Sequence, residues 1–435
     1  MTAPPRQWTI NQRLPIPTPT GHIHTGPTAG TPIVSVYIYD AVRTPRGKGR
    51  PGGSLAGIPP AQLVVQLLRA LERRLGRDAV HAAEHFTLGC VTQVGVQGGH
   101  LALSARIQAA LPDSVACLTI NNFCVSGLSA LADAARRVSS GQADLALAGG
   151  VESMSQVEFL ADAADYYADM TLASAMGWAP VGVAADLLAT REGLERADLD
   201  AAVLRSHTRA AEAWRQGRYA DRVIAVTRGD GAVALAHDEN IRDFGDGATL
   251  ARLGPIFAAT GAQGFDEILL AHKPDLTEVR HLHTLAHCPP ISDGASLLMV
   301  GNAEAGRRHG LRPLARIRSV AEAADDRVMQ LTAGFRAMEQ ALRRAGLPLA
   351  QVGAVEFMEA FAAAPVLFER DFGPDMTRVN PNGGHLAMGH PMGATGAILA
   401  TTLLDDMAQL DAETGLVVAT GGVGVGAAMV LERVA

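Results

Sequence analysis

The chain has 435 residues, a net charge of −7 and a pI near 6.1, with 48% hydrophobic and only 19% charged residues. Ordinary domains carry about 25% charged residues, so this chain has little bare surface and is expected to bury much of itself in a large core or a subunit interface. No broad basic field is available for nucleic acid, and the run RTPRGKGR (43–50) is at most a site for one phosphate group.

Four cysteines, Cys90, Cys117, Cys124 and Cys288, form no C-x-x-C pair. That argues against structural zinc or a redox dithiol, and the count is too sparse for a disulfide-stapled secreted domain. Neither a charged-and-apolar leader nor an apolar run of 18 residues free of glycine and polar breaks is present. The expectation is a cytoplasmic, oligomeric protein with no membrane and no nucleic acid among its partners.

In chain order, residues 1–32 are rich in Pro, Thr and Gly and read as an extended arm. IVSVYIYDAVRTP then reads as a strand, and PPAQLVVQLLRALERRLG (59–76) as a helix with Pro at its start and Gly at its end. From 117 to 153 come a strand (CLTIN), the loop NFCVSG, a helix with Val125, Leu128, Leu131, Ala135 and Val138 on one face, and the buried strand ADLALAGG. Residues 155–275 carry more charge and amphipathic helices such as ADLDAAVLRSHTRAAEAWRQG, and read as a covering lobe inserted in the first half. The second half follows a crossing near 300–315.

There the order of elements repeats. MTRVNPNGG reads as strand then loop, HPMGATGAILATTLLDDM as an apolar helix, and TGLVVATGG as a strand entering a glycine turn. The pattern implies a duplicated β-α-β unit whose equivalent helix starts meet, bringing Cys124 and His390 together. The halves are taken as residues 33–310 and 311–435.

In VVATGGVGVG (417–426), Gly422, Gly424 and Ala427 fit the dinucleotide spacing G-x-G-x-x-A. That fingerprint needs a long helix and a later acidic residue. AAMVLERV reads instead as another strand, so a tight glycine turn between buried strands is the better reading. Cys90 and Cys117 suit small core positions. Cys124 lies at a predicted helix start, where N–H groups and the dipole favour a thiolate with a pKa below about 8.5; a nucleophile and a structural cysteine are both open.

NPNGGHLAMGHPMGATG (380–396), dense in glycine with two prolines, suits a backbone looping closely round a ligand, with His390 in a rigid turn as general base or oxyanion donor. HLHTLAH (281–287) presents His281, His283 and His287, the first two able to share a strand face. No carboxylate or thiol completes a four-ligand set, and Cys288 would point away from His287 on a strand, so no metal site is expected.

NNFCVSGLSAL…GQADLALAGGVESMS resembles the thiolase signature around its nucleophilic cysteine, and NPNGGHLAMGHPMGATG is similar to the family's glycine-histidine-proline loop. DAVRTPRGKGRPGGSLAG, LRSHTRAAEAWRQGRY, ISDGASLLMVG and EFMEAFAAAP extend the likeness over residues 34–435. The resemblance implies an α/β fold, with two similar halves stacked in a five-layer αβαβα core, and a homodimer or homotetramer. It implies an acyltransferase with no bound cofactor that takes an acyl-CoA or acyl-carrier thioester through an acyl-cysteine. By that resemblance Cys124 is the acylated nucleophile, His390 activates it and binds the thioester oxygen, and the backbone N–H groups of Cys124 and Gly422 form a second oxyanion hole.

Three positions depart from the family pattern. A second, proton-shuttling cysteine is usual where Thr420 stands, and a threonine hydroxyl is too weak an acid for that task near neutral pH. The Asn-Glu-Ala-Phe motif, whose Asn fixes a water in the first oxyanion hole, appears as Met358-Glu359-Ala360-Phe361. The pantetheine-contacting Gly-Asn-Ala-Ser-Gly appears as Ala286-His287-Cys288-Pro289-Pro290, where His287 or Cys288 is a candidate replacement base. The expectation is therefore a diverged acyl transfer from Cys124 to a carbon, nitrogen or oxygen nucleophile. The alternatives are orthodox Claisen condensation and thiolysis, or a catalytically impaired partner subunit.

Overall fold

The computed structural model describes residues 34–245 and 247–434; the extended arm expected at 1–32 lies outside them. Strand β1 (Val36–Arg43) is followed by the short β2 (Gly47–Lys48), α1 (Pro60–Leu75), α2 (Arg77–His81) and β3 (His85–Gly89). Then come α3 (Leu101–Gln108), β4 (Ala116–Ile120), α4 (Ser126–Ser139) and β5 (Leu145–Ser153). Outside the sheet run α5 (Met170–Met176), α6 (Val181–Arg191), α7 (Arg196–Arg215), the hairpin of β6 (Val226–Thr227) and β7 (Val233–Leu235), α8 (Ala258–Thr260) and α9 (Asp266–His272). The chain re-enters the sheet at β8 (Ser292–Asn302) and continues through α10 (Ala303–Arg308), β9 (Ala315–Ala324), α11 (Ala333–Ala345), β10 (Ala354–Phe357) and α12 (Ala363–Phe372). It closes with α13 (His385–Met388), α14 (Met392–Gln409), β11 (Thr414–Gly421) and β12 (Val425–Arg433).

The strands lie in the order β10-β11-β12-β9-β1-β8-β5-β3-β4, with β2 beside β8. Pairings β3–β4, β3–β5 and β10–β11 are parallel and the others in this sheet antiparallel. β1 joins the two halves, pairing with β8 over most of its length and with β9 only from Val36↔Ile317 to Ile38↔Ala315.

Helices α1 and α3 cover one outer face, packing on β3, β5 and β8 in one apolar cluster; α11 and α12 cover the other, on β9 to β12. Between the half-sheets lie α4 and α14, each touching strands of both halves. This is the five-layer αβαβα arrangement. β5 and β8 are buried along their whole length, as unbroken apolar strands covered on both faces should be.

The central helices interlock by their starts through glycine. A side chain on Gly127 would meet Gly393 O and Ala397 N at 2.8 Å, and one on Gly396 would lie 2.4 Å from Leu128 N. Backbone thus touches backbone where only glycine leaves room.

Two expected elements are different. Residues 376–384 form no strand, only a bridge from Val379 to Val355, because Asn380 (φ 43°) and Gly383 (φ 83°) break the extended run. His281 and His283 lie in irregular chain rather than on a strand, and Leu285–His287 is a single 3₁₀ turn. The stretch Met170–Arg191 is apolar and long enough to cross a membrane by composition, but Gly177 (φ 65°) ends α5 before α6 begins, and 67% of its most apolar window is buried in the fold.

Candidate active site

Cys124 stands two residues before α4 and His390 two residues before α14. The interlocked helix starts therefore carry both to one end of the central layer, as the internal repeat implied. Phe123 adopts φ 47°, a conformation that costs a non-glycine residue free energy and turns the chain sharply into Cys124.

The Cys124 sulfur accepts from the backbone N–H of Gly422, with its own N–H alongside. Gly421 packs beside it: a side chain there would stand 3.3 Å from Cys124 N. The glycine turn of VVATGGVGVG thus brings a main-chain donor to the cysteine, and Val423 (φ 58°) lies in its bend. The expected low thiol pKa is not found. Burial pushes it up to about 11, and the Glu152 carboxylate adds to that, against the lowering by the Gly422 N–H. The thiol sits ahead of the helix's N-cap, Val125, where desolvation outweighs the dipole.

His390 is held by three successive main-chain contacts. Asn240 Nδ2 donates to Met388 O (3.2 Å), an Arg46 guanidinium nitrogen donates to Gly389 O (3.1 Å), and His390 N donates to Pro290 O (2.8 Å). Gly389 has φ 105°, and a side chain on it would stand 2.0 Å from Ser292 Oγ. The ring Nδ1 pairs with Thr395 Oγ1 at 2.7 Å, which fixes its orientation. Burial first, then the Arg46 charge, pushes the imidazole pKa down to about 4. At neutral pH the two groups are accordingly a thiol and a neutral imidazole, not a preformed ion pair, and the proton moves as the sulfur attacks.

Glu152 ties these parts together. Its buried carboxylate accepts from Val91 N (2.9 Å), Thr92 N (3.1 Å), Gln97 Nε2 (2.8 Å) and Gly393 N (2.9 Å), the last in the first turn of α14. A carboxylate inside the apolar strand LALAGGVES was the signal available for it in the sequence. Thr395, Asn240 and Arg46 had no such signal.

The remaining candidates sit as follows. Along β11, Val417 and Ala419 face the central layer with Gly421, whereas Leu416 and Val418 face α11. Thr420 shares the α11 face: its Cβ is 3.1 Å from where a Gly334 side chain would begin, and its buried hydroxyl has no hydrogen-bond partner among the described residues. Met358 is buried in the main core, its N–H donating to Val418 O. Glu359 joins two elements. Its carboxylate accepts from Ser206 Oγ (2.7 Å), Leu386 N (3.0 Å) and Asn380 Nδ2 (3.1 Å), binding α7 to the loop before His390.

His287 and Cys288 are unsuited to replace a missing base. His287 accepts from Thr284 N at 3.1 Å and pairs with Asp200 at 2.8 Å, and burial pushes its pKa down to about 4. The Cys288 thiol donates to Thr284 O, and burial pushes it far up. Pro289 is half-buried, and the next residue, Pro290, supports His390 N. His281 and His283 both pair with Asp186 (2.8 and 2.7 Å). Among the described residues no cluster of three or more His, Cys, Asp or Glu is arranged to hold a metal. Within RTPRGKGR, Arg43 and Arg46 are each only 1% exposed and face Asp238, so neither is presented at the surface to a phosphate. Cys90 is buried as expected, whereas Cys117 is half-buried on the outermost strand β4.

Residues 36–263 match the family described as Thiolase, N-terminal domain, and 311–433 match Thiolase, C-terminal domain. A beta-ketoadipyl-CoA thiolase of Pseudomonas aeruginosa is 36% identical over 421 residues, covering 92% of this chain and 99% of its own. A 3-ketoacyl-CoA thiolase of Marinomonas sp. is 34% identical over 405 residues, covering 92% and 98%. The crystal structure of the Bacillus anthracis acetyl-CoA acetyltransferase superposes with a TM-score of 0.79 at 27% identity, covering 92% of this chain and 99% of that one. With both family domains matched across the two halves that carry Cys124 and His390, the chain belongs to the thiolase family and is an acyltransferase acting on acyl-CoA thioesters.

Proposed function

We propose that the chain forms an acyl-Cys124 intermediate and carries out thiolysis or condensation on 3-oxoacyl-CoA thioesters. The single observation carrying the acyl-enzyme is the Gly422 N–H aimed at the Cys124 sulfur, at the helix crossing that also presents His390. The neutral His390 takes the thiol proton as the sulfur attacks the thioester carbonyl. The N–H groups of Gly422 and Cys124 then face the charge that develops on oxygen, where such preorganised donors are most effective. Departure of the thiolate leaving group takes the proton back. The names of the relatives support a 3-oxoacyl-CoA substrate.

A second reading is supported by Thr420. Its Cβ lies on the α11 side of β11 and its hydroxyl is a far weaker acid than a thiol, which favours acyl transfer to a nucleophile that needs no carbon acid, with coenzyme A or a carrier protein bearing the acyl group. Under either reading we place the enzyme in the cytoplasm as a homodimer or homotetramer. Intact-mass measurement after incubation with acyl-CoA is expected to show one acyl group, mapping to Cys124. Absence of an adduct with any CoA or carrier thioester sinks both readings. An adduct without 3-oxoacyl-CoA cleavage, together with cleavage gained by Thr420→Cys, selects the second.

A further inference from the structure

Behind His390 lies a buried group of charges that acyl transfer itself does not use. Asp238 accepts both terminal nitrogens of Arg43 at 2.9 Å and the main-chain N–H of Arg46 at 2.8 Å, while Arg46 Nε stays 3.9 Å from it. The Asp238 charge is thus matched by Arg43. The Arg46 guanidinium reaches forward to Gly389 O at 3.1 Å, and its Nε has no hydrogen-bond partner among the described residues. Beside it His385 is buried with neither ring nitrogen hydrogen-bonded among the described residues, its ring centroid 5.8 Å from that of His390. Deeper still, Glu356 and Asp406 face each other, each with a carboxyl oxygen that no donor reaches. Two buried carboxyls in contact keep a proton between them, because both cannot ionise together.

A buried guanidinium with an idle nitrogen is costly, and this one is spent on the carbonyl immediately before the catalytic histidine. We propose that Arg46 is a positioning residue for His390, pinning the Gly389–His390 turn through the Gly389 carbonyl and setting one positive charge behind the imidazole. The inference rests on reading His390 as the base of the acyl-transfer site. An imidazolium there would be opposed by the like charge of the guanidinium bound to the neighbouring Gly389 carbonyl, so the ring stays in the neutral form that can accept the thiol proton. The other groups around the ring do not cancel this. His385 is itself held neutral by burial and by the same arginine, Thr395 presents a hydroxyl, and Cys124 is a thiol. Glu152 is occupied by four donors, and Glu356 and Asp406 are engaged with each other.

The test follows the His390 ring directly, by NMR titration of the ¹³C-histidine-labelled full chain, with assignment by His390→Gln. In the unaltered protein the His390 signal is expected to stay neutral down to about pH 5, well below the ordinary imidazole value near 6.5. In Arg46→Gln, which keeps a donor for Gly389 O but removes the charge, the midpoint should rise by about one pH unit or more. In Arg46→Lys, which keeps the charge, it should stay low. The acid limb of Cys124 acylation by acetyl-CoA should move upward in parallel in Arg46→Gln. An unaltered His390 that titrates near 6.5 overturns the proposal without any variant, as does a folded Arg46→Gln whose midpoint coincides with the original. If the chain is not acylated at all, the reading of His390 as base fails; the NMR titration still decides whether Arg46 controls the ring.

Discussion

Replacing Gly396 by alanine tests whether the crossing of α4 and α14 sets the catalytic geometry. The new methyl would stand 2.4 Å from Leu128 N and 2.7 Å from Leu128 Cβ. Because the nearest atom is backbone, no side-chain rotation relieves it, and the helices must part by about 1 Å to reach ordinary contact. Overpacking of this kind costs about 1–3 kcal/mol, and alanine returns about 1 kcal/mol of helix propensity. The net expectation is a loss of about 0–2 kcal/mol in urea unfolding. The kinetic effect should be larger. Cys124 and His390 hang from the two starts being parted, and about 1 Å of misplacement can cost about a hundredfold in rate. Single-turnover acylation of Cys124, followed by intact mass, gives that number. Gly57→Ala is the control, since nothing lies within 4 Å of its added methyl. Acylation within threefold of the original rate at an unchanged urea midpoint would refute the claim that the crossing positions the pair.

Thr420→Val removes a buried hydroxyl that has no hydrogen-bond partner among the described residues and should raise stability by about 1 kcal/mol in urea unfolding; a loss of that size would mean the hydroxyl is satisfied after all. Thr395→Val should slow Cys124 acylation about tenfold by releasing His390 Nδ1, and Thr395→Ser should recover it. Glu152→Gln turns an amide NH₂ toward backbone donors and should cost about 2–4 kcal/mol. The folded fraction should nevertheless alkylate faster with iodoacetamide, because a charge that raises the Cys124 pKa is gone. In the unaltered enzyme, alkylation of Cys124 should still climb about tenfold per pH unit past pH 9, as expected of a thiol that ionises near 11. A plateau near neutral pH would show that the thiolate is already formed.

The layers of the fold were readable because their signals are local. Leu63, Leu67, Leu68 and Leu71 recur at helical spacing in α1, and β5 and β8 are continuous apolar runs. Cys124 and His390 were readable because each precedes an apolar helix in a repeated pattern. What escaped depends on direction and on distant partners. Whether Thr420 faces the site or α11 is set by the strand's register, which the residue type does not reveal. The electrostatics escaped for a related reason. A cysteine before a helix suggests a lowered pKa, but its value here is decided by layers contributed by both halves, which no local window contains. Arg46 looked like part of an exposed basic run because Asp238, its buried neighbour, lies 192 residues away.

The placement of β1 governs the order in which the molecule can assemble. Its partners are residues 296–302 of β8 and 315–317 of β9, so the middle of the sheet waits for chain made more than 250 residues later. β5 waits on β8 likewise. While the helices between Met170 and His272 are being synthesised, two buried-type strands have open edges. Loop closure of that length must be met before those contacts reward it, which makes folding slow. Until then, the edges are sites where another chain can pair. The strand that unites the two halves is therefore also the element most exposed to misassembly during synthesis.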